Sequence, residues 1–251
     1  MTKKIILCDD GKVEEVSEKA KKYGFGIEVQ ALHKPAFCKD QELINSHKNH
    51  IKGIQPISFH APFADLCPWS SDHMVREVAR NRFELWYEAA EKLGVSYMVF
   101  HIWWIPWAGM ISRRADRCVN FRNEFLKWKS EKIQYTIENQ FDHDPEMISL
   151  VIDWIHKDNV KSCLDIWHAH CYSKISVIDW IKTLKDRIGY VHIHDNNGEN
   201  DEHLGIGKGN IPMFEVLTAL NTYAPNAVWA LECKIEDMDE SIEQLKKNKF
   251  L

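Results

Sequence analysis

Eight short apolar runs recur along this chain, and between them apolar residues repeat with helical spacing. The runs are Ile5–Cys8, Gly26–Leu32, Pro56–His60, Tyr97–His101, Ile133–Glu138, Val160–Asp165, Tyr190–His194 and Ala227–Glu232. Val13, Val16, Ala20 and Tyr23 mark the first helix, with Gly24 at its end. Val75, Val78, Ala79, Trp86, Ala89, Ala90 and Leu93 mark a long one, closed by Gly94. Phe121, Phe125 and Trp128 place another over Asp116–Ser130. Strict alternation calls for parallel strands joined by crossover helices. Eight such units in 251 residues fit one α/β domain, a single (β/α)8 TIM barrel spanning 1–251. A doubly wound open sheet is the alternative. It would want a G-x-G-x-x-G after the first strand, and none is there.

Composition narrows the function classes. The net charge is −5, and no Lys/Arg cluster sits at the loops following the strands, so a nucleic-acid partner is not favoured. Arg113, Arg114 and Arg117 come nearest and read as the start of a solvated helix. The seven cysteines form no C-x-x-C pair, which fits reduced thiols in a cytoplasmic protein. The N-terminal apolar run is too short for a signal peptide, and no run is long enough to span a membrane.

In a barrel of this kind the reactive side chains sit at the C-terminal ends of the strands. His60, His101, Glu138 and Asp165 end strands three to six, with His168 in the turn beyond Asp165. His192 and His194 close the seventh strand, and Glu232 ends the eighth. Six consecutive strands therefore deliver imidazoles and carboxylates to one rim, the donor types of a divalent-metal site.

The segments FHAPFADL, VFH, TIEN, LDIWHAH, VHIHDNNGENDEHLGIGKGNI and LEC resemble the xylose isomerase-like TIM-barrel superfamily. That superfamily holds sugar and sugar-phosphate isomerases and epimerases together with AP endonucleases of the endonuclease IV type (AP endonuclease family 2). The resemblance to the first branch implies one Mn²⁺, Zn²⁺, Co²⁺ or Mg²⁺ on Glu138, Asp165, His192 and Glu232. The two glutamates would double as acid and base, and His168 would touch substrate. The second branch implies up to three zinc ions, with further ligands at His60, His101, His168, Asp201 and His203. The loop APFADL looks like the sugar-enzyme branch. The expectation is a metal-dependent sugar or sugar-phosphate isomerase or epimerase working through an enediolate. A multi-zinc phosphoesterase acting on abasic DNA and a non-catalytic sugar-binding barrel are the alternatives. Members of the superfamily often form dimers or tetramers, so a homo-oligomer is compatible.

Four further residues stand out. Trp103, with Trp104 and Trp107, is either a wall that stacks on a sugar or an anchor for its loop. Glu28 either binds a substrate hydroxyl or pairs inside the barrel. Lys208 in GIGKGN suggests a weak phosphate-binding loop. Trp167 stands where the resemblance implies a small residue. His33, His47, His50, His73, His143 and His156 read as surface residues.

Overall fold

The computed structural model describes residues 3–62, 66–68, 70–101 and 132–251. Its eight strands are β1 (Ile5–Cys8), β2 (Gly26–Val29), β3 (Ile57–His60), β4 (Tyr97–His101), β5 (Gln134–Glu138), β6 (Val160–Asp165), β7 (Ile188–Ile193) and β8 (Val228–Leu231). Each pairs in parallel with the next, and β8 pairs with β1, closing a single (β/α)8 barrel. Closure leaves no strand edge unpaired. The open-sheet alternative is thereby excluded.

The described helices are α1 (Val13–Tyr23), α2 (Pro35–Lys39), α3 (Gln41–His50), α4 (His73–Leu93), α5 (Glu146–Ile155), α6 (Ile166–Tyr172), α7 (Val177–Leu184), α8 (Met213–Tyr223) and α9 (Ile235–Lys247). Gly24 and Gly94 end α1 and α4 in the left-handed conformation, as a residue without Cβ allows. Asp40 caps α3 by accepting from Glu42 N and Leu43 N, and Asp72 caps α4 through Met74 N. The expected helix over Asp116–Ser130 lies outside the described residues. Two short helices, α2 and α6, were not signalled by periodicity, because five and seven residues are too few to show it. The turn expected after Asp165 is α6 itself.

Alternation along each strand separates two cores. Outward strand side chains, Trp229 among them, pack against the helices, whose inner faces contribute the fully buried Trp86 and Trp180. A smaller inner cluster fills the barrel: Ile6, Cys8, Tyr97, Val99, Cys163, Tyr190, Val228 and Ala230. The polar groups described below stand above this plug, at the C-terminal ends of the strands. Among the described residues, no helix is long and apolar enough to cross a membrane.

The loop after β7 folds around one carboxylate. Asp195 accepts from Asn196 N and Ile211 N through Oδ1 and from Gly207 N through Oδ2. Its backbone bridges Leu204 in both directions, at 2.8 and 2.9 Å. Gly209 lies so close that a Cβ there would fall 2.2 Å from Asn196 O and 2.4 Å from Asp195 Oδ1. Gly209→Ala is therefore expected to lower stability by about 1–3 kcal/mol, and Lys208→Ala to leave the melting temperature close to wild type. Thermal denaturation of the two variants checks both.

Candidate metal centre

The site is centred on Glu138, whose side chain is 2% exposed and carries four imidazoles around its two oxygens. Oε2 faces His60 Nε2 at 3.2 Å and His101 Nε2 at 3.3 Å. Oε1 faces His192 Nδ1 at 3.1 Å and His168 Nδ1 at 3.5 Å. His192 Nδ1 also lies 3.4 Å from Glu232 Oε2 and 3.9 Å from Asp165 Oδ2. Three carboxylates from β5, β6 and the end of β8 thus converge on one imidazole nitrogen from β7.

Local structure explains each placement. Asp165 ends β6 and caps α6, with Oδ1 accepting from His168 N at 2.7 Å. That cap starts the helix which turns His168 back over Asp165 and Glu138. Asn139 clasps the two strand ends: its Nδ2 donates to Asp165 O, and its Oδ1 accepts from Asp165 N. Trp167, which is buried, packs beside His168, Tyr172 and His194.

The electrostatics are those of buried anions neutralised by imidazoles. Burial alone would raise the Glu138 carboxyl, but His101, His192 and His168 outweigh it and hold it well below the usual carboxylate range. The same balance lowers Asp165, through His168 and His194. Burial opposes charge on His192, yet Cys163, Glu232, Glu138 and Glu28 hold its pKa well above the ordinary imidazole value. His168 is pushed up to about 9 against the burial effect, by Asp165 and Glu138. His101 is the exception, lowered to about 3 by burial.

These residues fit a divalent ion. No Lys or Arg among the described residues lines the cavity above them, so only imidazole protons balance the carboxylates. Three imidazoles are also oriented as metal ligands are. His60 Nδ1 donates to Ala61 O (2.8 Å), His203 Nδ1 to Glu232 O (2.7 Å) and His192 Nε2 to Glu28 Oε1 (3.0 Å). In each the far nitrogen is held by an acceptor, and the near one faces the carboxylates as a potential donor. Several triads have ligand atoms mutually within 4.8 Å, among them His60–His101–Glu138, Glu138–Asp165–His168 and His194–Asp201–His203.

The structure brings Glu138, Asp165, His192, Glu232, His60, His101 and His168 into one cluster, with Asp201 and His203 at its margin. The cavity is about 650 Å³, enough for a monosaccharide. Glu28 does not line it. It lies fully buried beneath His192, so it takes the ion-pair reading and not the hydroxyl-binding one. Lys208 does not line the cavity either; its Nζ is 2.8 Å from both Asp237 and Glu240 on α9. The glycine loop it belongs to is filled by Asp195, which takes the backbone N–H groups a phosphate would need. Trp103 lies outside the described residues.

Two residues escaped the sequence reading, Gln30 and Asn139, and two that it named, His194 and His47, make contacts it did not assign. Gln30 Nε2 donates to Glu28 Oε1 (3.0 Å) and to Glu232 Oε1 (2.6 Å). Its spacing of two from Glu28 on one strand face was the available signal. His194 Nε2 lies 3.2 Å from Asp165 Oδ2, and its ring stacks on His203 at 4.4 Å. Asn139 stood beside Glu138 in TIEN. His47, read as a surface residue, is buried: α3 turns it inward at the cavity edge, where its Nδ1 donates to Leu43 O.

Comparison with known proteins agrees with this architecture. The family model described as xylose isomerase-like TIM barrel matches residues 9–248. An uncharacterized protein of Methanocaldococcus jannaschii is 31% identical over 202 residues, covering 76% of this chain and 69% of its own. A protein of Mycobacterium leprae named probable endonuclease 4 is 26% identical over 174 residues, covering 62% and 65%. The crystal structure of a D-tagatose 3-epimerase-like protein superposes with a TM-score of 0.80 at 25% identity, covering 98% of this chain and 96% of the other. With a closed eight-stranded barrel and a family match over nearly its whole length, this chain belongs to the xylose isomerase-like TIM-barrel family.

Proposed function

We propose that this chain is a single-domain, divalent-metal-dependent isomerase or epimerase acting on a sugar or sugar phosphate. The observation that carries the reading is the meeting of Glu138 Oε1, Glu232 Oε2 and Asp165 Oδ2 at His192 Nδ1, on the floor of a sugar-sized cavity. Glu138, Asp165, His192 and Glu232 would hold the ion, whose Lewis acidity lowers the cost of removing a proton beside a ketose carbonyl. Glu232 is the more accessible glutamate, with its side chain 11% exposed and Oε1 fixed by Gln30. It takes the proton from the carbon next to the carbonyl, which leaves an enediolate. The protonated His168, with Nδ1 3.5 Å from Glu138 Oε1, passes a proton to Glu138, which delivers it to carbon from the other side of the cluster. Glu232 releases the proton it took to solvent, from which His168 is reprotonated. Return to the opposite face of the same carbon gives an epimer, and return to the neighbouring carbon gives the aldose–ketose isomer. His168, above both groups, contacts the substrate oxygens. The described cysteines are all free thiols, which supports a cytoplasmic setting.

A second reading has its own observation. Glu138 Oε2 faces His60 and His101, and these three residues could hold a further ion beside the first. With Asp201 and His203 as further donors, a multi-metal phosphoester hydrolase becomes the competing activity. The relative named probable endonuclease 4 favours the same reading.

Two tests separate these readings. In a panel of ketoses and their phosphates, Glu138→Gln and Glu232→Gln are each expected to lower interconversion by about 10²-fold or more, while Asp201→Ala retains it. Retained turnover in both glutamine variants would rule out the acid–base pair. Cleavage of an abasic-site duplex that Asp201→Ala abolishes would establish the hydrolase instead. Stripping metal with a chelator is expected to abolish turnover, and Mn²⁺, Co²⁺, Mg²⁺ or Zn²⁺ to restore it; turnover that survives a metal-free preparation contradicts both readings.

A further inference from the structure

We propose that Glu28 is the positioning residue of this centre: from beneath, it fixes the tautomer and ring orientation of His192 and, through Gln30, the rotamer of Glu232. The inference extends the metal-centre reading of the site, but its first readout does not depend on it.

The argument begins with hydrogen-bond accounting. Glu28 is 0% exposed, and five donors surround its two oxygens. Oε2 accepts from Ser58 Oγ at 3.0 Å and from Tyr190 Oη at 2.7 Å. Oε1 accepts from Gln30 Nε2 at 3.0 Å and His192 Nε2 at 3.0 Å, with Cys8 Sγ at 3.5 Å. A protonated carboxyl would place its own hydrogen against one of these donors, so the arrangement selects the carboxylate. A carboxylate cannot donate, so His192 Nε2 must carry a proton. The other nitrogen, Nδ1, is then the one facing Glu138, Glu232 and Asp165. Ring rotation is blocked because Nε2 is held below while Tyr190 packs edge-on at 5.6 Å and His60 stacks at 5.7 Å.

Gln30 carries the same constraint sideways. Its one amide nitrogen donates to Glu28 Oε1 and to Glu232 Oε1, using both hydrogens on the two carboxylates. This holds Glu232 with Oε2 turned to His192 Nδ1. β2 thus contributes no cavity-facing acid of its own, yet it sets the geometry of two groups on β7 and β8. The five donors come from β1, from Gln30 just past the end of β2, and from β3 and β7, so the anchor forms only when the barrel closes.

The test uses the full-length chain with histidine-selective ¹⁵N labelling, and Co²⁺ as the metal probe. In wild type the His192 Nε2 proton is expected as a slowly exchanging, low-field resonance in the metal-free protein. Glu28→Ala is expected to lose that resonance and to bind Co²⁺ about 10–100-fold more weakly. Glu28→Gln, which keeps an acceptor oxygen but removes the charge, should fall between the two. Gln30→Ala should keep the resonance and weaken Co²⁺ binding several-fold. A wild-type His192 without a proton on Nε2 would overturn the proposal. So would Co²⁺ affinity unchanged in both Glu28 variants. If neither Glu28 variant folds by circular dichroism, the wild-type resonance and Gln30→Ala decide, and unchanged Co²⁺ affinity in Gln30→Ala counts against the link to Glu232. If wild type takes up no Co²⁺, the metal reading of the site fails, while the resonance still decides the role of Glu28.

Discussion

The column Glu28–His192–Glu138 is the constraint on which the rest of the site depends. Two buried carboxylates sit on opposite nitrogens of one buried imidazole, at 3.0 and 3.1 Å. Charges so placed are costly to desolvate and persist only when their hydrogen bonds are complete. Removing one partner of such a pair typically costs about 3–5 kcal/mol, because the other is left uncompensated. The column therefore demands the surrounding structure: Ser58 and Tyr190 on the lower carboxylate, and His60, His101 and His168 on the upper one. They come from β3, β4, β7 and the helix α6. The apolar plug beneath, with Cys8, Tyr97 and Cys163, keeps water away from below.

That arrangement is also what the two proposed readings share. In the proposed function, Glu138, Asp165, Glu232 and His192 itself would hold a single ion and carry out proton transfer beside a carbonyl. Glu138 Oε2, turned toward His60 and His101, is where a second ion would be felt first. Were Oε2 taken up in that way, Glu138 would have no free oxygen for a proton, and hydrolysis would be the proposed chemistry that remains. The choice between the readings is therefore a question about one oxygen atom.

Much of this was legible in the sequence because barrel strands end where their chemistry begins. His60, His101, Glu138 and Asp165 are each the last residue of their strand, and the apolar run before each marks that end. Glu232 lies one residue past β8, and His192 one residue before the end of β7. What escaped was decided by contacts between strands distant in sequence. Gln30 is an ordinary polar residue until closure brings Glu232 against it, 202 residues away. Asn139 gains meaning only from Asp165, a strand away. Lys208 misled because a glycine-rich loop before a helix reads as an anion cradle, whereas here a side chain of the same loop, Asp195, fills it. His47 misled because α3 is too polar for its inner face to be recognised.

The most direct test of the central claim is the metal content of protein purified without chelator, by elemental analysis, in wild type and in His192→Ala. The account predicts a divalent ion in wild type, about one per chain if Glu138 serves as acid–base and two or three if the multi-metal reading holds, and a clear loss in His192→Ala. Wild-type protein that carries no divalent metal and takes none up on addition would contradict it.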